Sequence, residues 1–266
     1  MSEAWESTLV RSFGFPAMLV HGDTMVLDRW LWLRKRLSRI SRRGRLLDVG
    51  CGTGAFTIGA ARLGFDALGL SWDERNQSVA ASRAALCRTE RARFQVTDVR
   101  GLGEQTLLRE SFDVVICLEC IEHILDDSRL MAAMAGCLKP GGTLVLTTPN
   151  LDYRPIDARD NGPWSIKEDG GHVRKGYARA QLMALCESSG LEVTEISYCS
   201  GFISQKLTGL WRCFTRTARL LAWPVLLPFR PIPVFLDAWL TRKLEWPNYS
   251  ICVVAARPAT SKSPGS

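Results

Sequence analysis

The stretch Leu46-Leu47-Asp48-Val49-Gly50-Cys51-Gly52-Thr53-Gly54-Ala55-Phe56 constrains this chain more than any other. A short apolar run ending at Asp48 reads as a buried parallel strand. Ala55, Phe56, Ile58, Ala60, Ala61 and Leu63 then recur as one face of a helix packed back on that strand. Between them Gly50, Gly52 and Gly54 alternate with Cys51 and Thr53. A backbone without Cβ atoms turns tightly and lets a ligand touch the main chain, while the amides at the helix start point toward it. The spacing therefore predicts a nucleotide-type pocket at the end of a central strand.

The acidic residue ahead of the glycines sharpens this expectation. Asp-x-Gly-x-Gly-x-Gly after a strand resembles the first motif of class I S-adenosylmethionine-dependent methyltransferases, and differs from the Gly-x-Gly-x-x-Gly dinucleotide fingerprint. The resemblance implies that Asp48, Gly50, Cys51, Gly52, Thr53 and Gly54 hold S-adenosylmethionine. It extends along the chain in order. Ala67-Leu68-Gly69-Leu70 reads as a second strand, after which the family places a ribose-binding carboxylate; here Ser71, Trp72 and Asp73 stand instead. Either Asp73 reaches the ribose from two residues on, or Ser71 makes a weaker contact and Trp72 packs on the ligand.

Phe94 to Val99 reads as the third strand. By the same resemblance Asp98 accepts from the adenine amino group and Val99 packs on the ring; capping the next turn is the other use of Asp98. The fourth strand, Phe112 to Leu118, runs into Glu119-Cys120-Ile121-Glu122-His123-Ile124. Open parallel sheets place ligands just beyond the carboxyl ends of their strands, so this segment is site chemistry by location. Glu-x-x-Glu-His resembles the corresponding segment of the ubiquinone-biosynthesis O-methyltransferases. The carry-over makes Glu119, Glu122 and His123 candidate ligands of a divalent cation, with Mn²⁺ or Zn²⁺ suiting the imidazole better than Mg²⁺. His123 is also a candidate general base.

A helix from Asp126-Asp127 to Leu138 ends at Lys139-Pro140-Gly141-Gly142, a fifth strand spans Thr143 to Thr148, and Pro149-Asn150 closes it. From Leu151 to Lys175 the chain is polar and reads as a loop hanging over the site. Within it His172 is the second candidate base, in a segment resembling the "His then a helix" arrangement that follows the fifth strand in many small-molecule methyltransferases. A helix from Arg179 to Ser189 and a sixth strand from Leu191 to Tyr198 follow, and Ser250 to Ala256 reads as the last, antiparallel strand.

Between those last two strands the plain fold needs only a hairpin. Some fifty residues intervene, rich in Leu, Trp and Phe between 207 and 240 and broken by Pro224, Pro228, Pro231 and Pro233. No run approaches the ~20 apolar residues of a spanning helix. The segment is either a helical cap or dimer surface, or an interfacial anchor that sets Trp, Phe and Leu in the headgroup boundary with Arg and Lys on anionic lipid.

The remaining features bound the reading. The net charge of +7 is concentrated in two clusters, Arg29 to Arg45 and Lys206 to Lys243. No aromatic stacking platform accompanies them, which argues against nucleic acid. Nine scattered cysteines suggest thiols in a reducing compartment, Cys117-x-x-Cys120 has no second pair to make a zinc site, and no secretory signal pattern opens the chain. The expected location is cytoplasmic, with membrane association at the cytoplasmic face if the insertion is an anchor. Residues 28 to 40 read as an amphipathic helix capped by Asp28 with its basic side solvated.

The expected fold is α/β: a doubly wound, mostly parallel seven-stranded Rossmann-like methyltransferase sheet, with an N-terminal helical segment and an apolar helical insertion before the last strand. The expected organisation is an N-terminal helical cap (1–45), an S-adenosylmethionine-binding domain (46–204 and 247–257), the insertion (205–246) and a disordered tail (258–266). The implied activity is O-methylation of a hydrophobic or lipid-linked small molecule. A soluble metabolite or sugar as acceptor, and a non-catalytic S-adenosylmethionine-binding protein, are the alternatives.

Overall fold

The computed structural model describes residues 3–20, 23–41, 43–217 and 225–259. Arg42, Arg219, Leu220, Leu221, Trp223, Pro224 and the tail from residue 260, which fall in the charge clusters, the insertion and the tail read above, lie outside the described residues. Seven strands form one sheet: β1 (Arg45–Val49), β2 (Asp66–Ser71), β3 (Ala92–Val96), β4 (Phe112–Leu118), β5 (Leu138–Pro149), β6 (Glu192–Cys199) and β7 (Ser250–Ala256). Their spatial order is β3-β2-β1-β4-β5-β7-β6, with β7 antiparallel to both neighbours and the other pairings parallel. This is the expected Rossmann-like methyltransferase sheet. Its central strands are continuous apolar runs because helices cover both faces: Leu46, Leu47 and Val49 of β1 and Val114, Val115 and Ile116 of β4 are fully buried.

One face carries α1 (Glu3–Phe13), α2 (Phe15–Val20), α3 (Thr24–Arg39), α4 (Ala55–Arg62) and α5 (Glu74–Leu86). Phe15 and Trp30 meet edge to face at 5.1 Å beneath α4, where Gly59 leaves room for the indole. The other face carries α6 (Asp127–Cys137), whose Met131 and Met134 are buried on the side of β4 and β5, and α7 (Arg179–Ser188), whose Leu182 is buried on the side of β6 and β7.

Three boundaries differ from the sequence reading by more than two residues. Helix α3 begins at Thr24, capped by Asp23, whose carboxylate accepts from the Met25 amide at 2.9 Å. Asp28 therefore lies inside the helix. β3 stops at Val96, because Asp98 caps a 3-10 turn over Val99–Glu104. β5 begins at Leu138, which pairs with Phe112 ahead of the glycines.

The segment before β7 is helical: α8 (Phe202–Thr217), a 3-10 turn (Leu227–Phe229) and α9 (Ile232–Lys243). Its inner side is fastened by polar contacts. Asp237 of α9 accepts from the amides of Gly201 (2.8 Å) and Ile203 (2.6 Å), and the Thr241 hydroxyl accepts from the Phe202 amide (2.8 Å). The start of α8 is thus capped by a separate helix, and a Cβ at Gly201 would sit 2.1 Å from the Thr241 hydroxyl. Thr208 donates to Asp23 at 2.7 Å, and Arg212 pairs with Asp160 of the loop after β5 at 2.8 Å. The outer side is apolar and open: Phe235 is 78% and Trp239 55% exposed, and Val234 and Leu236 stand beside them.

Asp28 is partly buried beside this junction, with its Oδ2 buried and unpartnered. Burial, reinforced by Asp237 and opposed by Arg29, pushes its carboxyl up to about 7. A raised carboxyl pKa contributes stability that is complete below the unfolded value and is lost as pH rises through about 7. Asp28→Asn should therefore raise Tm at pH 8 by several degrees and leave it unchanged at pH 4. An equal effect at both pH values in a thermal-unfolding series would contradict this account.

Candidate active site

The carboxyl edge of the sheet gathers four segments. The first is the turn between β1 and α4. The amides of Gly50 and Cys51 both donate to the Leu70 carbonyl, at 3.0 and 2.9 Å, which ties the turn to β2. Gly50 lies so close to the next segment that a Cβ there would come 2.3 Å from the Cys120 sulfur. Gly52, at φ +50°, has no atom within 4 Å of where a Cβ would stand, so the crest of the turn faces open space. Thr53 is held by the Arg83 guanidinium at 2.6 Å, and Gly54 starts α4 against Ala80 and Phe94. Asp48 is buried below, accepting from the Thr57 hydroxyl at 2.6 Å; burial outweighs that bond and lifts its carboxyl to about 7.

The second segment follows β2. Ser71 is buried and its hydroxyl accepts from the Asp73 amide at 3.4 Å, while Asp73 caps α5 by accepting from the Arg75 amide at 2.8 Å. Trp72 is more than half exposed beside them. The third follows β3, where Asp98 accepts from the Arg100 amide at 3.0 Å and pairs with its guanidinium, which holds the Asp98 carboxyl below its ordinary range. Val99 is buried in the core with Leu70 and Leu102.

The fourth segment, after β4, separates the three residues expected to act together. Glu119, at φ +52°, has both oxygens engaged: Oε1 accepts from Thr147 (3.0 Å) and Ser250 (2.9 Å), and Oε2 pairs with Arg29 at 3.1 Å. Arg29 is 8% exposed, so the basic side of α3 is not wholly solvated as expected. Burial alone would lower its pKa, but the Glu119 carboxylate reverses this and raises it. The signal was present in the helical spacing. Met25, Arg29, Leu33 and Leu37 form one stripe, and all four are buried.

Glu122 is wholly buried and accepts from the Thr148 hydroxyl at 3.0 Å; burial and then Glu119 push its carboxyl well up. His123 Nε2 lies 3.9 Å from Glu122 Oε1, an oxygen with no hydrogen-bond partner, and the His123 Nδ1 also lacks one. His172 comes from the loop after β5 and meets His123 edge to face at 4.6 Å, with Trp164 stacked behind it at 6.2 Å. Glu122, His123 and His172 can bring one ligand atom each within 4.8 Å of the others. Burial, with His123 adding to it, lowers the His172 imidazole to about 4, so the ring is neutral at neutral pH.

The loop is fixed in this position from several sides. The Val173 amide donates to the Glu122 carbonyl at 3.0 Å, and Arg174 reaches the carbonyls of Ile124 and Leu125 at 2.8 and 2.9 Å and pairs with Asp127. Glu168 accepts from the Leu125 amide at 2.6 Å and pairs with Arg100 at 3.1 Å. The loop thus links the turn after β3 to the segment that carries His123. At the opposite, amino edge of the strands another concavity is lined by Glu110, Gly136, Leu191 and Arg257, and none of the residues named for the site reaches it.

A family profile described as a methyltransferase domain matches residues 27–196, most of the chain. The chain belongs to that methyltransferase family. The mitochondrial ubiquinone biosynthesis O-methyltransferase of Homo sapiens is 28% identical over 180 residues, which cover 65% of this methyltransferase and 47% of the human protein. The ubiquinone biosynthesis O-methyltransferase of Sinorhizobium fredii is 31% identical over 157 residues, covering 57% and 61%. The methyltransferase thus spans about half to three fifths of these relatives. Among solved structures, Haemonchus contortus phosphoethanolamine N-methyltransferase 2 in complex with S-adenosyl-L-methionine has the same fold, with a TM-score of 0.61 at 19% identity over 86% of this chain and 52% of that one.

Proposed function

We propose that the chain is an S-adenosylmethionine-dependent enzyme that O-methylates a hydrophobic or lipid-linked small molecule by in-line transfer. The observation that carries this reading is the half-buried His172, neutral at neutral pH, set against His123 on the carboxyl edge that also bears the open crest at Gly52. The bound cofactor would supply a methyl group already activated on a sulfonium. The chain's own residues then have three tasks: to hold the cofactor, to align the acceptor oxygen, and to take its proton.

The holding falls to the main chain of Gly50, Cys51, Gly52, Thr53 and Gly54 over Asp48, a turn whose open crest fits a ligand pressed on the backbone. Asp73 and Ser71 lie where a ribose would be met, with Trp72 free to cover it, and Asp98 with Val99 marks the adenine side. Glu119, clamped by Arg29, fixes the wall between the glycine turn and the acceptor. His172 Nδ1 or Nε2 takes the hydroxyl proton, and His123 sits ready to share it.

A second reading is favoured by the ligand geometry of Glu122, His123 and His172: two imidazoles and a carboxylate would hold Mn²⁺ or Zn²⁺ at the acceptor hydroxyl. Dialysis against EDTA separates the two. Unchanged turnover leaves His172 as a base, and loss restored by Mn²⁺ or Zn²⁺ makes the group a metal site.

The names of the relatives, ubiquinone biosynthesis O-methyltransferases, support a hydroxyl of a hydrophobic, quinone-like molecule as acceptor. The insertion supports it independently. Its apolar side, with Phe235, Trp239, Val234 and Leu236 open and Arg242 and Lys243 beside them, suits the headgroup boundary of an anionic bilayer at the cytoplasmic face. No helix among the described residues is long and apolar enough to cross a membrane. The chain should float with liposomes, and Phe235→Ser with Trp239→Ser should abolish flotation while leaving S-adenosylmethionine binding intact. The direct test is transfer of a labelled methyl group to a prenylated catechol in vesicles against a soluble catechol. Faster transfer in vesicles supports the reading, equal or faster transfer to the soluble ring favours a soluble metabolite, and cofactor binding with no transfer to any acceptor favours a binding protein.

A further inference from the structure

A second groove lies apart from the histidine pair, between α8 and the first residues of the loop after β5. It has a volume of about 350 Å³ and is lined by Arg154, Pro155, Ile156, Lys206, Leu210 and Trp246, with Gln205 and Gly209 completing it. The Arg154 guanidinium stands 4.2 Å from the centre of the Trp246 ring and the Lys206 ammonium 4.5 Å from it. We infer that this groove binds a phosphate ester carrying an apolar substituent, with Arg154 and Lys206 on the phosphate.

The two cations of the groove are not matched by a carboxylate among the described residues. Arg29, Arg36, Arg159 and Arg212 each pair with a carboxylate, at Glu119, Glu195, Asp157 and Asp160. No carboxylate lines this groove, and Arg154 and Lys206 make no ion pair among the described residues. Both exposed cations lie over the one indole, and an anion reached by both would gain two charge-assisted hydrogen bonds.

The floor on which they converge is built rather than incidental. The Trp246 indole donates to Gln205 Oε1 at 3.0 Å, and Gln205 is buried with its amide donating to the carbonyls of Ser200 (3.0 Å) and Pro247 (2.8 Å). Phe202 meets the same indole edge to face at 5.1 Å. Both cations are therefore presented by a side chain fixed from beneath. The remaining lining residues Pro155, Ile156 and Leu210 are apolar, and Leu210 is half exposed. A polar end of two cations and an apolar exit matches a phosphorylated headgroup followed by hydrocarbon better than it matches inorganic phosphate.

The inference deepens the membrane reading above, and its test keeps the two apart. The probes are vesicles of phosphatidylcholine, vesicles of phosphatidylcholine with phosphatidic acid, and soluble glycerol 3-phosphate, each with the full chain. Wild type should bind the phosphatidic acid vesicles more tightly than the neutral ones. Arg154→Gln with Lys206→Gln should remove about tenfold of that preference, whereas the charge-matched Arg242→Gln with Lys243→Gln should remove far less. Quenching of tryptophan fluorescence by glycerol 3-phosphate, lost in the first double variant alone, would identify the same site with a soluble phosphate ester as its source, even if no vesicle binds. Equal losses in both double variants, or flotation on neutral vesicles with no gain from phosphatidic acid, would overturn the groove while leaving the membrane reading in place. Absence of both vesicle binding and quenching would overturn the two together.

Discussion

Gly52→Arg should abolish binding of S-adenosylmethionine while the chain stays folded. Gly52 stands at φ +50° with open space around its Cβ position, so the substitution meets no protein atom at its base. The left-handed backbone costs a non-glycine residue about 1–2 kcal/mol, less than the ~5–15 kcal/mol that keeps a domain folded. The long cationic side chain must instead lie along the crest of the turn, where the cofactor would press on the backbone, and its charge opposes a sulfonium. Gly52→Ala serves as the control, carrying the backbone strain and only one methyl group. Equilibrium dialysis with labelled cofactor, paired with thermal unfolding, reads both. Binding retained in the arginine variant would place the cofactor elsewhere.

His172→Ala should lower turnover by about 10²- to 10⁴-fold, the range of a positioned general base, with cofactor affinity nearly intact. That corresponds to about 3–5 kcal/mol, against the 7–11 kcal/mol that alignment of reactants can supply, so losing the pocket should cost more than losing the base. The imidazole is lowered to about 4 by burial and by His123, so it needs no deprotonation before use at neutral pH. The expected signature is a fall in kcat with the dissociation constant of the cofactor unmoved. Unchanged turnover would remove His172 from the proton path and leave His123 as the remaining imidazole.

The strands and the glycine turn were legible in the sequence because parallel strands buried on both faces must be continuous apolar runs, and because an acidic residue before three alternating glycines has few other uses. The place of β7 between β5 and β6 was not legible, since no local pattern encodes which strand a returning segment pairs with. The partners of the acidic residues were not legible at all. Glu119 and Glu122 look equivalent in sequence, yet one faces Arg29 of a helix far upstream and the other is buried against Thr148. Their division replaces the expected set of Glu119, Glu122 and His123 with a cluster in which His172 takes the place of Glu119.

The insertion was read from composition as either a cap or an anchor, and its two sides divide those properties. Asp237, Thr241, Thr208 and Arg212 face inward and fasten it, while Phe235 and Trp239 face outward. A hydrophobicity count could not separate them, because the fastening is done by polar residues scattered among apolar ones. The misplaced cap at Asp28 has a similar origin. An acidic residue at the start of an amphipathic run suits a cap, but the segment before it was itself helical and moved the start back to Asp23.

The measurement that tests the central claim most directly is a crystal structure of the full chain with S-adenosylhomocysteine. The account predicts the ligand on the carboxyl edge of the sheet, its chain against Gly50, Gly52 and Gly54, its ribose beside Ser71 and Asp73, and its sulfur facing the His123–His172 pair. A ligand seated at the amino edge, among Glu110, Gly136, Leu191 and Arg257, or density that leaves the glycine turn empty, would contradict it.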